Sequence, residues 1–481
     1  MIIKLKNIGI IGDSSIEING LTVITGKNNS GKSTVGRTLY ALFDAVCNFR
    51  RKYQIDRYSY IHKQLDNVEN VMESFSLFRF SRVKVDSICG NFTALRSLVT
   101  GDYKREISNE AIEQFAHDIE KELKVFDMSI LESDSEFLKS YSFIAYKEKS
   151  TQKAFEMFDS QRNRAIEILN KLFDDIDKDP DLTNFIRESI SQSLSIEFAN
   201  QIQPVKYNVE KSSIEIMEEN AVLYNLDIVD NKVLDTGKPV FIGSPWTKVY
   251  LIDNPSIFDE TPMRWHRNRE DVIESDTILN TNRILSHNEK LKRKLKNRNR
   301  PTVLEQTVLD DSLKEIQKQI EDIIPGTFEF SPEGEFYVEE GRKLSITNMA
   351  TGSKMFSIIK ILLETGEIDN STVLILDEPE AHLHPMWQNS FAEIIVLLVK
   401  KLGTNVLLTT HSPNFMLAID AFMRKHNLSE KTNFYQTNTT DTGFVEYQCV
   451  NDEMEIIYQD FLRYLSEMKI LRNKYLDNSG V

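Results

Sequence analysis

Apolar positions along this chain change their period several times, and the changes divide it into segments. Residues 2–5 and 21–25 are short apolar, β-branched runs that predict two strands joined by a turn. The second run ends at Gly26 and shows no polar alternation, as expected of a strand buried on both faces of a sheet. From about residue 33 the spacing becomes helical, with Val35, Leu39, Leu42 and Phe43 along one side.

Over residues 49–204 charged residues are dense and apolar ones recur every third or fourth position. Ile112, Phe115, Ile119, Leu123 and Phe126 form one stripe. Phe155, Phe158, Ile166, Leu169 and Leu172 form a second, and Leu182, Phe185, Ile190 and Leu194 a third. Such stripes predict antiparallel helical hairpins or short coiled-coil arms. The acidic run 174–181 reads as a connector between two of these helices rather than as a metal site.

Strand-like segments return at 214–217, 222–229 and 249–252. A second insertion, 254–324, carries Arg/Lys-rich sequence and then a helix over 304–324. Strands resume at 327. A helix over 355–364, strands over 372–377 and 405–410, and an amphipathic helix over 453–475 complete the pattern. That last helix aligns Met454, Ile457, Phe461, Leu465 and Met468 on one stripe, read as packing on the rest of the fold or as a partner surface.

The expected fold is therefore α/β: a mixed sheet with helices, interrupted by helical, coiled-coil-like insertions. Residues 1–48 form the first part of the main lobe and 49–204 the helical insertion. Residues 205–253 add a β-rich part and 254–324 the second insertion. Residues 325–440 form the second part of the lobe, and 441–481 a terminal strand and helix. No stretch approaches the roughly 18 apolar residues that a membrane span requires, and the start MIIKLKNIGI does not have the layout of a signal peptide. Cys47, Cys89 and Cys449 are too few and too scattered for a disulfide framework or a zinc site, which fits a reducing cytoplasm.

Gly26-Lys27-Asn28-Asn29-Ser30-Gly31-Lys32-Ser33-Thr34 has the spacing of a phosphate-binding loop, set between a buried strand and a helix. Its glycines let successive amides turn inward toward phosphate oxygens, and the helix amino terminus adds its positive end. Lys32 is placed to reach the β- and γ-phosphates of ATP, and the Ser33 hydroxyl to ligate Mg²⁺. The strand 372–377 ends in Asp377-Glu378-Pro379. Asp377 at the strand end suits a metal ion or its water shell; Glu378, aimed elsewhere, suits proton abstraction from an attacking water. The strand 405–410 delivers His411-Ser412-Pro413, where an imidazole can hydrogen-bond a γ-phosphate.

A phosphate loop, a strand ending in DEP and a strand ending in THSP, in that order, resemble ABC-type ATPases of the SMC-like, RecF-like and OLD-like branch. The run Asp377-Glu-Pro-Glu-Ala-His-Leu-His-Pro385 resembles the OLD-like members, which are common in bacterial defence systems. The resemblance covers about residues 1–45 and 327–415. It implies a signature loop that meets the γ-phosphate of a partner protomer's ATP. The matching segment is Ala350-Thr351-Gly352-Ser353-Lys354, with Thr351 for the usual serine, Ser353 for the second glycine and Lys354 for the usual Gln or Glu. A hydroxyl and a helix amino terminus are kept. The family's glutamine loop has no single match: residues 249–252 lead into Asp253-Asn254-Pro255, and Gln201 and Gln203 are the other positions.

Lys32 and Gly352 stand two-thirds of the chain apart, unlike in a transporter ATPase. A signature acting in trans implies a homodimer or higher homo-oligomer with two-fold interfaces. The resemblance extends to the ATPase subunit of the Septu system, which works with an HNH nuclease, and to those of retron and PARIS systems. It implies an ATP-hydrolysing regulatory subunit that controls a separate effector nuclease. The alternative is a DNA-repair or DNA-clamp ATPase. No acidic cluster like a Toprim nuclease site follows His411.

The net charge of −15 argues against generic polyanion binding and gives weight to one local exception. Residues 283–300 contain Arg283, Lys290, Lys292, Arg293, Lys294, Lys296, Arg298 and Arg300 against the single acid Glu289, with Arg264, Trp265, Arg267 and Arg269 upstream. This segment can track a nucleic-acid backbone, form a solvated flexible loop, or dock on acidic surface of a neighbouring subunit.

Overall fold

A computed structural model describes residues 1–47, 49–73, 151–176, 181–207, 209–236, 246–258, 285–296, 311–331 and 334–477, with a few single positions between them. The stripe from Ile112 to Phe126 lies outside the described residues. So do Arg264, Trp265, Arg267, Arg269, Arg283, Arg298 and Arg300, and the side chains of Phe155, Phe158, Ile457, Phe461 and Leu465. The chain divides into two compact units. One comprises Met1–Phe49, Leu182–Trp265 and Ile284–Val481, and the other Arg50–Asp181 and His266–Arg283.

The strands of the first unit are β1 (Ile2–Ile8), β2 (Ile11–Glu17), β3 (Leu21–Thr25), β4 (Ser212–Glu218), β5 (Ala221–Val229), β6 (Lys232–Val233) and β7 (Lys248–Ile252). They continue with β8 (Thr327–Ser331), β9 (Gly334–Glu339), β10 (Arg342–Ser345), β11 (Thr372–Asp377), β12 (Asn405–Thr410), β13 (Thr432–Thr439) and β14 (Val445–Cys449). Eleven of them form one sheet in the order β6-β5-β4-β1-β2-β14-β13-β3-β12-β11-β7, and β8–β10 form a separate three-stranded sheet. The segment β13-β3-β12-β11-β7 is parallel throughout. The β6-β5-β4-β1-β2 side is antiparallel. Strand β2 is one the hydrophobic pattern does not predict, because Gly-Asp-Ser-Ser at its centre reads as a turn. Its alternation of Gly12, Ser14 and Ile16 inward fits a half-buried strand all the same.

The helices are α1 (Lys32–Val46), α2 (Phe49–Glu73), α3 (Thr151–Ile176), α4 (Leu182–Glu197), α5 (His287–Lys296), α6 (Asp311–Glu321), α7 (Thr351–Glu364), α8 (Pro385–Leu397), α9 (Pro413–Lys425) and α10 (Met454–Asp477). The central strands are apolar on both faces and feed two cores. Val373, Ile375, Leu407 and Ile24 face the core built with α1 and α4. Leu374, Leu376, Leu408 and Val23 face the core built with α7, α8 and α9. Helix α4, placed by its stripe within the helical insertion, buries Ile186, Ile190 and Leu194 in the same core as α1. An apolar stripe states that a helix is covered but not by what.

In the second unit, α2 buries Ile61, Leu65 and Val68, and α3 buries Ala165, Leu169 and Leu172. The Tyr60 hydroxyl donates to Asp175 between the two helices. Among the described residues no helix is long and apolar enough to cross a membrane.

Candidate active site

The parallel register brings three strand ends to one level. Thr25 of β3 lies opposite Thr410 of β12, and Thr409 opposite Asp377 of β11. On the other side Leu376 pairs with Ile252, so Asp377 and Asp253 follow side by side. Carboxyl ends of adjacent parallel strands are where α/β sheets bind ligands, and here they open on a cavity of about 510 Å³. Asn28, Asn29, Ser30, Gly31, Lys32, Ser33 and Thr34 line it, together with Asp377 and Glu378. Asp253, Pro255, Ala381 and His382 line it too. Two segments most of a chain length apart in sequence thus share one pocket.

The phosphate loop is held from several sides. Gly31 caps α1 at φ 77°, a left-handed conformation that favours glycine. The Tyr447 hydroxyl, buried on β14, donates to the Gly31 carbonyl at 2.8 Å, and burial pushes the Tyr447 pKa upward. At Gly26 a Cβ would stand 1.8 Å from Thr437 Oγ1 of β13, so the strand behind the loop leaves no room for a side chain. Lys32 Nζ donates to the carbonyls of Gly26 (3.1 Å) and Lys27 (2.9 Å), curling the loop around its own cation. The Ser30 hydroxyl is buried without a partner, consistent with a loop built to meet a ligand.

Lys32 also lies 3.3 Å from Glu378 Oε1, while Glu378 Oε2 lies 3.1 Å from His411 Nδ1. Glu378 therefore bridges the loop lysine and the histidine that ends β12. Its backbone is left-handed at φ 50°, a conformation that costs a side-chain-bearing residue roughly 1–3 kcal/mol and clusters at functional sites. The strain turns Glu378 away from the strand direction of Asp377. Thr409 secures both acids. Its hydroxyl donates to Asp377, and its carbonyl and hydroxyl oxygens each accept from the Glu378 amide at 3.1 Å. Two residues on, Glu380 is buried and accepts from the Thr410 hydroxyl; burial raises its pKa.

The remaining motif residues fall into place by ordinary capping. Ser412 caps α9, accepting from the Phe415 amide at 3.2 Å with Pro413 at the first helical position. His384 caps α8 with Pro385 behind it. Thr351, Gly352 and Ser353 open α7 but do not line the cavity. Instead Gly352 backs onto the loop after β11, where a Cβ would stand 2.9 Å from the His382 carbonyl oxygen. Lys354, in place of the usual Gln or Glu, turns inward and donates to the Thr347 carbonyl at 2.9 Å. Gln203 is engaged with Asn231 and Gln201 is exposed. Neither lines the cavity; Asp253 does.

Asp253 has a second set of contacts. His287, the first residue of α5, lies with Nε2 3.1 Å from Asp253 Oδ1, close enough for an ion pair though off the line of a hydrogen bond. Arg37 Nη2 of α1 is 3.7 Å away. Burial works to raise the Asp253 pKa, but His287, Arg37 and Asn288 outweigh it and hold the carboxyl below its usual value. His287 is itself buried, which disfavours its charge, yet Asp253 and Glu197 raise its pKa to about 9. Sequence reading missed the roles of Thr409, Thr437, Tyr447 and His287, since each acts through a contact made only in the folded chain.

The basic segment is a helix over its described part, and it packs inward. Leu291 and Leu295 are buried. Lys290 pairs with Asp44 (2.6 Å), Lys294 with Glu367 (3.0 Å) and Lys296 with Glu335 (2.6 Å). These three lysines thus pair with acids of the chain's own first unit, an arrangement distinct from the backbone tracking, solvated loop and neighbouring-subunit docking that the sequence left open. Among the described residues no group of three or more His, Cys, Asp and Glu forms a metal site; residues 177–180 of the acidic run lie outside them. On α10, Met454 is buried while Met468 is exposed.

No curated protein matches the sequence. Solved structures similar to the chain include the SMC head domain from Thermotoga maritima, at 11% identity over 93% of this chain and 98% of that one, with a TM-score of 0.33. A second is the SmcHead bound to the C-winged helix domain of ScpA, at 11% identity over 95% and 98%, TM-score 0.35. A third is the Smc head domain with an extended coiled coil from Pyrococcus furiosus, at 11% over 96% and 98%, TM-score 0.28. The profile described as AAA ATPase domain matches residues 1–416, most of the chain and all of the pocket's elements, and the chain accordingly belongs to that ATPase family.

Proposed function

We propose that this ATPase is the nucleotide-driven regulatory subunit of a cytoplasmic bacterial anti-phage complex. In this reading, ATP-dependent pairing of two copies governs a separate effector nuclease, of the HNH type. The observation that carries it is the position of the signature segment. Thr351 and Ser353 present hydroxyls at the amino terminus of a fourteen-residue helix, an anion-binding arrangement, yet they stand outside the cavity lined by Lys32 and Asp377. One chain thus furnishes one wall of a nucleotide site and, elsewhere, the piece suited to close another copy's site.

The residues present fit a magnesium-bound triphosphate. The buried Ser30 hydroxyl lacks a partner among the described residues, and Ser33 and Asp377 are the groups that would hold Mg²⁺, which would supply charge neutralisation to the phosphate oxygens. Lys32 exchanges Glu378 for phosphate, and Glu378, once released, becomes the base that takes the water proton. His411 follows the same exchange from the other carboxylate oxygen. The DNA-clamp reading is weakened by the lysines of α5, whose charges are already paired to Asp44, Glu367 and Glu335.

Mixing two inactive variants tests the reading. Lys32→Ala removes the loop cation, and Ser353→Glu puts a negative charge where phosphate would meet the helix. Each alone is expected to lose turnover. Mixed, they rebuild one intact site per heterodimer and recover a fraction of wild-type turnover. No recovery, from two folded variants that still form dimers, would refute closure in trans.

A further inference from the structure

Three acids line the nucleotide cavity, and the phosphate loop and acidic pair account for only two of them. The third, Asp253, follows β7 and stands beside Asp377 in the register of the sheet. It is not a solvated strand-end acid. Its side chain is 15% exposed and lies between Arg37 and His287. Behind His287 stands a second carboxylate. Glu197, the last residue of α4, accepts from the His287 amide at 3.0 Å and meets its Nδ1 at 2.6 Å. Tyr40 of α1 covers the imidazole edge-on, with centroids 5.7 Å apart.

His287 is therefore tied to Glu197 by its backbone amide and by Nδ1, with an aromatic neighbour against the ring, and its Nε2 lies 3.1 Å from the acid in the pocket. This is the arrangement by which an outer group sets the direction and basicity of an inner one. Burying a histidine between two acids is costly unless each contact is used. Leu291 and Leu295 anchor the helix on its apolar side.

We propose that His287 is a positioning residue of the nucleotide site: clamped by Glu197, it holds Asp253 facing the cavity, where that carboxylate orders the water and metal shell next to Asp377. The proposal rests on the nucleotide reading of the pocket. Its chemistry is simple. An ionised carboxylate only accepts hydrogen bonds, so a fixed Asp253 orients water donors in one direction. Released from His287, it would swing or turn to Arg37, and the order would be lost. Glu197 closes the helix by which the chain returns from Arg50–Asp181, and His287 opens the one that follows His266–Arg283.

The test is a double-mutant cycle on the full chain with Lys32→Ala alongside. Nucleotide binding is read as the ATP-induced rise in melting temperature over a Mg²⁺ titration, and turnover is read separately. Asp253→Asn is expected to raise the half-saturating Mg²⁺ concentration and lower kcat, each by about tenfold, with ATP affinity at saturating Mg²⁺ within threefold. His287→Gln is expected to give a smaller loss of the same kind, and to add nothing in the Asp253→Asn background. Equal losses from His287→Gln in both backgrounds would overturn the positioning role, as would an unchanged Mg²⁺ response in Asp253→Asn. Should His287→Gln fail to fold, Glu197→Gln takes its place in the cycle, and the same two results decide. Lys32→Ala that leaves ATP binding intact would instead sink the pocket reading itself.

Discussion

Glu378→Gln separates binding from chemistry, and the structure sets the size of both effects. Glutamine keeps the volume of the side chain and tolerates the left-handed backbone at φ 50° no worse than glutamate does, so the turn after β11 is retained. What changes is charge. Lys32 is 4% exposed and loses its 3.3 Å partner, while Glu378 is 32% exposed, so solvent already screens part of that pair. The pair is then worth about 1 kcal/mol, the upper end for a screened contact. Because phosphate must displace Glu378 from Lys32, removing the competitor should tighten ATP binding about fivefold. Loss of the base should slow hydrolysis about 10²- to 10⁴-fold. A fluorescent-nucleotide titration with Mg²⁺ and a single-turnover hydrolysis assay read the two separately. Wild-type hydrolysis would remove Glu378 as the base. Weaker ATP binding would refute the competition between carboxylate and phosphate for Lys32.

Tyr447→Phe deletes the hydroxyl that holds the Gly31 carbonyl. A hydrogen bond of that kind is worth about 1 kcal/mol, so ATP affinity should fall a fewfold with little change in melting temperature; unchanged affinity would show that the loop needs no such brace. Replacing Lys290, Lys294 and Lys296 by alanine should lower the melting temperature, because all three are ion-paired within the unit. An unaltered melting temperature together with a flatter salt dependence of DNA binding would instead assign them to a phosphate backbone. The His287 pKa is raised from 6.5 to about 9 by Asp253 and Glu197 against the effect of burial, with Arg37 and Tyr40 also facing the cluster. A folded-state pKa raised in this way contributes stability that is complete below about pH 6.5 and fades as pH climbs through about 9. Thermal unfolding should therefore show a decline from pH 7 to 9.5 that His287→Gln lacks, and parallel curves would contradict the charged imidazole.

Much of the pocket is legible in the sequence, for one physical reason. The phosphate loop, Asp377-Glu378 and His411 each sit where a buried strand stops, and a run of apolar β-branched residues followed by glycine, acid or Thr-His marks such a stop in one dimension. Strand β2 is not legible, because its outward face is Asp13 and Ser15 and its inward Ser14 serves the Tyr447 amide at 3.1 Å. Nor is the helix hidden in the basic segment, where Leu291 and Leu295 are outnumbered by charges whose acids lie far off in sequence. Asp253 can be seen as the residue after a strand. That it faces the phosphate loop depends on β7 being the strand next to β11, a pairing that no local signal encodes. Tyr447 and Thr437 are further cases, since β13 and β14 come to the phosphate loop only through the completed sheet.

The position of β3 between β12 and β13 also bears on how the protein is made. The strand that carries the phosphate loop leaves the ribosome long before either of its hydrogen-bonding neighbours, which lie most of the sequence away. At translation rates of about 5–20 residues per second, β3 waits roughly 20–80 s with two open edges and five apolar or β-branched side chains exposed. Long-range parallel pairing is slow and prone to aggregation while it waits. The nascent segment around β3 is thus a natural client for a ribosome-bound chaperone, and truncated products that stop before β12 should be insoluble.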